Sequence, residues 1–178
     1  DSAVHATRAF VLNWNANSII FGEEQAADYL LEAEQEAVRA LQLDNQNTLA
    51  LAFYAEILVD EQKWGQAEQY ILQAVEKDNT LMDVHRIYAY VLESLGQYNQ
   101  AIQEYDKAIA ISPNLTFLHL RAGANYRRLA FGSNNDATRT QLYESSLEYF
   151  AKAARLNEQL GIEDPIPYLS IAKTYSQE

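Results

Sequence analysis

Residues 82–115 read MDVHRIYAYVLESLGQYNQAIQEYDKAIAISPNL, and the organisation of the whole chain follows from this stretch. It holds two runs of helically spaced apolar residues, separated by the short polar break Ser94–Gln97 and closed by Pro113. Stepping away from it by 34 residues finds the same residue types again. Small residues recur as Ala33, Ala67 and Ala101, as Ala40, Ala74 and Ala108, and as Ala55, Ala89 and Gly123. Large ones keep the register: Trp64 precedes Tyr98, Tyr54 precedes Tyr88, and Leu58 precedes Leu92 and Tyr126. The breakers Asn45, Asn79 and Pro113 agree. Each period is therefore a supersecondary unit, two antiparallel helices joined by a tight turn. Leu51, Tyr54, Ala55 and Leu58 give one apolar stripe and Ala67, Ile71, Ala74 and Val75 the other. Alanine marks where two helices approach closely, since a larger side chain there would overpack the contact by about 1–3 kcal/mol.

Past residue 130 the register slips by 11, so that Tyr143, Phe150 and Ala153 follow Tyr98, Tyr105 and Ala108. The slip coincides with Phe131–Gln141, FGSNNDATRTQ, whose turn chemistry predicts a lengthened surface loop of small entropic cost. A second slip of 4 surrounds Gly161–Pro167. The chain thus divides into a degenerate repeat with a long second helix (1–47), units at 48–81 and 82–115, a unit at 116–160 with an insertion at about 131–141, and a capping half unit at 165–178. All are expected to form one solenoid domain. Two second helices read as elongated, Glu23–Leu43 and Asp136–Asn157 with Asp136 as N-cap, and a last helix is expected over Pro167–Glu178.

The unit length and the small residues at slots eight, twenty and twenty-seven resemble the tetratricopeptide repeat. The best unit, Met82–Leu115, has Ala89, Gly96, Tyr98, Ala101, Tyr105, Ala108 and Pro113 on pattern. In the unit before it Asn79 replaces the usual proline, and in the unit after it Ser146 replaces an alanine. The resemblance implies an all-α fold, a right-handed superhelical solenoid of antiparallel helix pairs with about nine helices. First helices would line its concave face, and the work implied is recognition of another protein or peptide. Some members grip a chaperone tail through Lys, Asn and Arg on successive first helices. The matching positions here hold Ala52, Glu56, Ile87 and Tyr90, so that clamp is not reproduced.

Composition narrows the functional classes. Of 178 residues 26 are alanine, with 6 Gly and 3 Pro, which disfavours turn-rich sandwiches and disordered tails. The absence of Cys removes disulfides, thiol nucleophiles and cysteine metal sites. Thirteen basic against 25 acidic residues, a net charge of −12, argue against nucleic acid, whose affinity depends on neutralising phosphates. No run of 18 apolar residues is present, so no membrane insertion is expected. The sequence starts without a Met or an export signal and reads as a piece of something longer. The cytoplasm is favoured over export, although an upstream signal could have been removed.

No P-loop, G-x-G-x-x-G, H-E-x-x-H or G-x-S-x-G is present, so no catalytic residue, cofactor or enzyme activity is expected within the chain. His85 and His119 share a slot one period apart; filling a large position is the favoured reading over a shared metal. Glu23–Glu24 and Asp60–Glu61 read as helix-end solvation. Asn114-Leu115-Thr116 matches a glycosylation sequon but sits in an ordinary inter-repeat turn. The first helices carry the more specific signal. Arg86, Tyr90, Arg121, Arg127, Arg128 and Lys173 are the candidate partner-binding residues of the concave face, suited to an acidic segment or a C-terminal carboxylate. The competing reading pairs Arg86 with Glu56 and Arg127 with Glu93 between repeats. Recruitment for a larger enzyme or signalling protein is the alternative function. A homodimer through terminal or overhanging helices, for example by Leu169, Ile171 and Tyr175, is a further option.

Overall fold

The computed structural model describes residues 1–17 and 22–177, which hold nine α-helices and no strand. The degenerate half unit expected within 1–20 and the last helix expected to reach Glu178 run past these limits, at 18–20 and at 178 respectively. The helices are α1 (Ser2–Ala16), α2 (Glu23–Leu43), α3 (Thr48–Asp60), α4 (Trp64–Lys77), α5 (Met82–Ser94), α6 (Tyr98–Ile111), α7 (Thr116–Phe131), α8 (Asp136–Leu160) and α9 (Ile166–Tyr175). They fall into two compact units, Asp1–Leu95 and Gly96–Glu178. The architecture in each is the all-α, solenoid-type assembly of antiparallel helix pairs that the repeat predicts.

In the first unit, α1, α3 and α5 lie side by side, with α2 packed on α1 and α3 and α4 on α3 and α5. Alanines at the repeating slots are the contact points: Ala33, Ala40, Ala55, Ala67 and Ala74 are all fully buried. Two kinds of turn connect the helices. After α3, Lys63 N–H donates to Leu58 O (2.8 Å) and Gln62 N–H to Val59 O (2.9 Å), a Schellman closure that puts Gln62 at φ +61°. Gly96, one period on, has φ +75°. After α2 and α4 the turn is folded by an aspartate. Asp44 accepts from Gln46 N–H (2.9 Å), and Asp78 from the N–H (2.9 Å) and hydroxyl (2.6 Å) of Thr80. Asn47 then caps α3 by accepting from Ala50 N–H (3.0 Å) while donating to Ser2 Oγ, which donates to Ala40 O.

In the second unit, α7 packs on α6, α8 on α7, and α9 on α8 and α7. Tyr105, Tyr143 and Phe150 are its largest buried side chains. Gly123 lets Phe150 come so close that a Cβ would meet its ring at 2.8 Å. Ser146, in an alanine slot, is buried without strain because its hydroxyl donates to Gly123 O (2.8 Å). The lengthened loop expected at 131–141 is mostly helix. α7 runs to Phe131, only 132–135 leave helical geometry, and α8 starts at Asp136. The cap there is Asn135, which accepts from Thr138 N–H (2.9 Å), and Asp136 is the first helical residue, where its charge suits the helix dipole. At the other end α8 continues past Asn157 to Leu160 and stops on Gly161, at φ +67°. α9 begins at Ile166, one residue before the expected Pro167.

The long helices share a measure. α4 and α6 have 14 residues and α2 has 21, its extra seven lying before the common register. Tyr143 occupies the slot with which Tyr98 opens α6, so α8 also carries seven additional residues at its start. Seven residues are about two turns, which returns a helix to nearly the same face.

Candidate functional site

Helical spacing on three adjacent first helices builds one face of the first unit. It consists of Phe10, Asn13 and Trp14 on α1 with Asn17 at its C-cap, Glu56 and Asp60 on α3, and Asp83, Arg86 and Tyr90 on α5. Its two centres are polar. Arg86 donates through Nη1 and Nη2 to the two carboxylate oxygens of Glu56 (2.5 and 3.0 Å) and through Nε to Asp83 (3.0 Å). Its guanidinium lies 5.8 Å from the ring centre of Phe10, which stacks on Phe53 at 4.9 Å. Burial opposes the arginine's charge, but Glu56 and Asp83 outweigh it and hold the pKa above the ordinary arginine value. The pairing of Arg86 with Glu56 is therefore present, and this arginine is neutralised where it stands.

Asp60 is the second centre. Its Oδ2 accepts from Asn13 Nδ2 and Asn17 Nδ2 (both 2.9 Å), and its Oδ1 from the Tyr90 hydroxyl (2.7 Å). Asp60 lies at a helix end that faces the groove, as the sequence suggests, but it is more than a solvated carboxylate: Asn13 and Asn17 from the end of α1 and Tyr90 from α5 converge on it. Asn13 is 4% exposed, and its Oδ1 has no hydrogen-bond partner among the described residues. Trp14 stands at the edge of the face, 68% exposed and 6.4 Å from Phe10.

The second unit offers a different arrangement, on α7 and α9. Arg127 turns toward α9, donating to Ser170 O (3.2 Å) and lying 3.5 Å from Thr174 Oγ1, with its guanidinium 5.3 Å from the Phe150 ring centre. Burial and the neighbouring Arg128 together lower its pKa. Arg128 is exposed, with its guanidinium 5.6 Å from the Tyr98 ring centre. Arg121, seven residues back on the same helical face, is exposed as well, and so is Lys173 on α9. The six expected residues are thus split, Arg86 and Tyr90 in the first unit and the other four in the second.

The two histidines act alike. His85 Nε2–H donates to Asn79 O (2.8 Å) and His119 Nε2–H to Pro113 O (3.0 Å), each six residues back. Each ring pins the turn that precedes its own helix. Among the described residues no group of three His, Asp or Glu side chains is placed to hold a metal, and no helix is long and apolar enough to cross a membrane. The donors to Asp60 were not legible in the repeat pattern, because the two amides lie at the C-terminal end of α1 and at its cap, where that pattern has decayed.

Side-by-side first helices, each backed by second helices, define the class by its architecture: an array of antiparallel helix pairs. The tetratricopeptide-repeat family model matches residues 83–115, so the chain carries a tetratricopeptide repeat over α5 and α6, and its other helix pairs share that architecture. No curated protein matches the sequence. Among solved structures, the human IFIT1 dimer with PPP-AAAA is similar at a TM-score of 0.80 and 19% identity, over 99% of this chain and 38% of that one. MamA follows at 0.54 and 15%, covering 87% of this chain and 92% of its own. A Thermobaculum terrenum O-GlcNAc transferase mutant matches at 0.60 and 20%, over 85% of this chain and 26% of that one. The chain spans well under half of the IFIT1 and transferase chains, and at these identities the likeness is one of fold.

Proposed function

We propose that the chain is a non-catalytic scaffold that binds a segment of another protein along its first helices, with α7 of the second unit taking an acidic stretch. The observation that carries this reading is Arg127. It is a partly buried guanidinium with no carboxylate partner among the described residues, set beside a second, exposed arginine. A guanidinium pair of that kind is suited to two carboxylates, and charge-assisted hydrogen bonds are the strong ones. Arg121 and Lys173 extend the same charge. Because IFIT1 is seen with PPP-AAAA, a nucleic acid is the competing anion. The net charge of −12 disfavours that competitor, since long-range repulsion acts on a polyanion as a whole.

The test is binding of a Glu-rich peptide by fluorescence anisotropy. Arg128→Glu combined with Lys173→Glu should weaken it by at least about tenfold, the effect of two lost charge-assisted contacts. Both positions are exposed, so the fold is spared, whereas Arg127 also fastens α9. Unchanged affinity, or preferential capture of a triphosphorylated oligoadenylate, defeats the acidic-segment reading. A second reading, recruitment for a larger enzyme, is favoured only by the short share of the transferase chain that this chain spans. Self-association through Leu169 and Tyr175, 65% and 64% exposed on α9, is tested by light scattering at increasing concentration.

A further inference from the structure

We infer that the α1–α3–α5 face of the first unit binds a cationic segment, seating a Lys or Arg side chain against Trp14 and the Asp60 hub. This rests on the scaffold reading above but concerns the other unit and the opposite charge. The first unit carries 5 basic and 16 acidic residues, the second 8 and 9, so nearly all of the net negative charge belongs to the first. On the face itself Glu56, Asp60 and Asp83 stand against Arg86 alone, and Arg86 is held by two of those three carboxylates.

Three observations point to a cation in particular. Trp14 offers its indole at 68% exposure, and indole is the best of the aromatic faces for an ammonium or guanidinium. The face already binds one cation in this way, since Arg86 sits over Phe10, next to Trp14 in the aromatic row. Among the described residues Asp60 receives hydrogen bonds from neutral donors, Asn13, Asn17 and Tyr90, and from no basic side chain. Beside it, Asn13 Oδ1 is a buried acceptor without a donor among the described residues. An acidic or apolar segment would leave that carboxylate uncompensated; a guanidinium or ammonium completes it.

The probe is a short peptide alternating Arg and Gly, titrated against the full chain at physiological ionic strength, with the corresponding Glu–Gly peptide in parallel. Trp64→Phe leaves Trp14 as the sole tryptophan, and its emission should change as the Arg–Gly peptide binds. Trp14→Ala should weaken binding about three- to fivefold, the range of an exposed cation–π contact. Asp60→Asn should weaken it at least about tenfold. Glu24→Gln with Asp28→Asn, on α2 and outside the face, should leave it within about twofold once general attraction is screened. Equal affinity in Trp14→Ala, silent Trp14 emission, or an equal loss in the α2 variant would overturn the proposal in favour of unspecific attraction. Failure of the Arg–Gly peptide alone sinks this inference only; failure of both peptides sinks the scaffold reading with it.

Discussion

A Cβ added at Gly123 would lie 2.8 and 2.9 Å from ring carbons of Phe150 and 3.1 Å from Ser146 O, a backbone atom of the facing helix. Phe150 is buried, with Arg127 against its ring, so neither neighbour can easily withdraw. Gly123→Ala should therefore destabilise by about 1–3 kcal/mol. Gln62→Gly should do the opposite, by about 1 kcal/mol, because Gln62 holds a left-handed backbone that costs a side chain energy and a glycine almost none. Urea denaturation of the two variants checks both signs. These positions also show what the sequence discloses. Gly96 advertises its positive φ, whereas Gln62 in the same slot gives no hint of one, since the Schellman hydrogen bonds impose it. Arg86 was legible as groove-directed, and its pairing with Glu56 as an option. Arg127's turn toward α9 was not legible, because it depends on a backbone carbonyl that no side-chain pattern records.

At the scale of elements, the 34-residue repeat located the helices of the recognisable units, α1 lay in the degenerate repeat, and errors gathered at the ends. Turn-forming residues between 131 and 141 suggested loop, yet a single asparagine starts the helix early and the residues after it follow. Asn135→Ala should cost about 1 kcal/mol by removing the acceptor for Thr138 N–H, and Asp136→Ala less, since only a dipole interaction is lost. Amide exchange in the first two turns of α8 reads this directly. Equal protection in the wild type and Asn135→Ala would mean that packing, not the cap, holds those turns.

For the whole molecule, alkali should be a sharper challenge than the number of tyrosines suggests. Burial, and then the hydrogen bond to Asp106, raise the pKa of Tyr149; burial and then Asp106 also raise that of Tyr126. An unfolded chain releases these protons at pH about 10. The stability they represent is thus complete below that pH and is lost as pH rises toward the higher folded values. A titration of tyrosinate absorbance should show these phenols lagging, with unfolding midpoints falling above pH about 10 and falling less in Tyr149→Phe.

The seven-residue extensions of α2 and α8 carry a consequence for inheritance. A gain or loss of seven codons leaves every downstream side chain facing as before, whereas a change of five would turn them half a revolution or so about the axis. Length variation in these two helices among descendants of the same gene should therefore come in sevens.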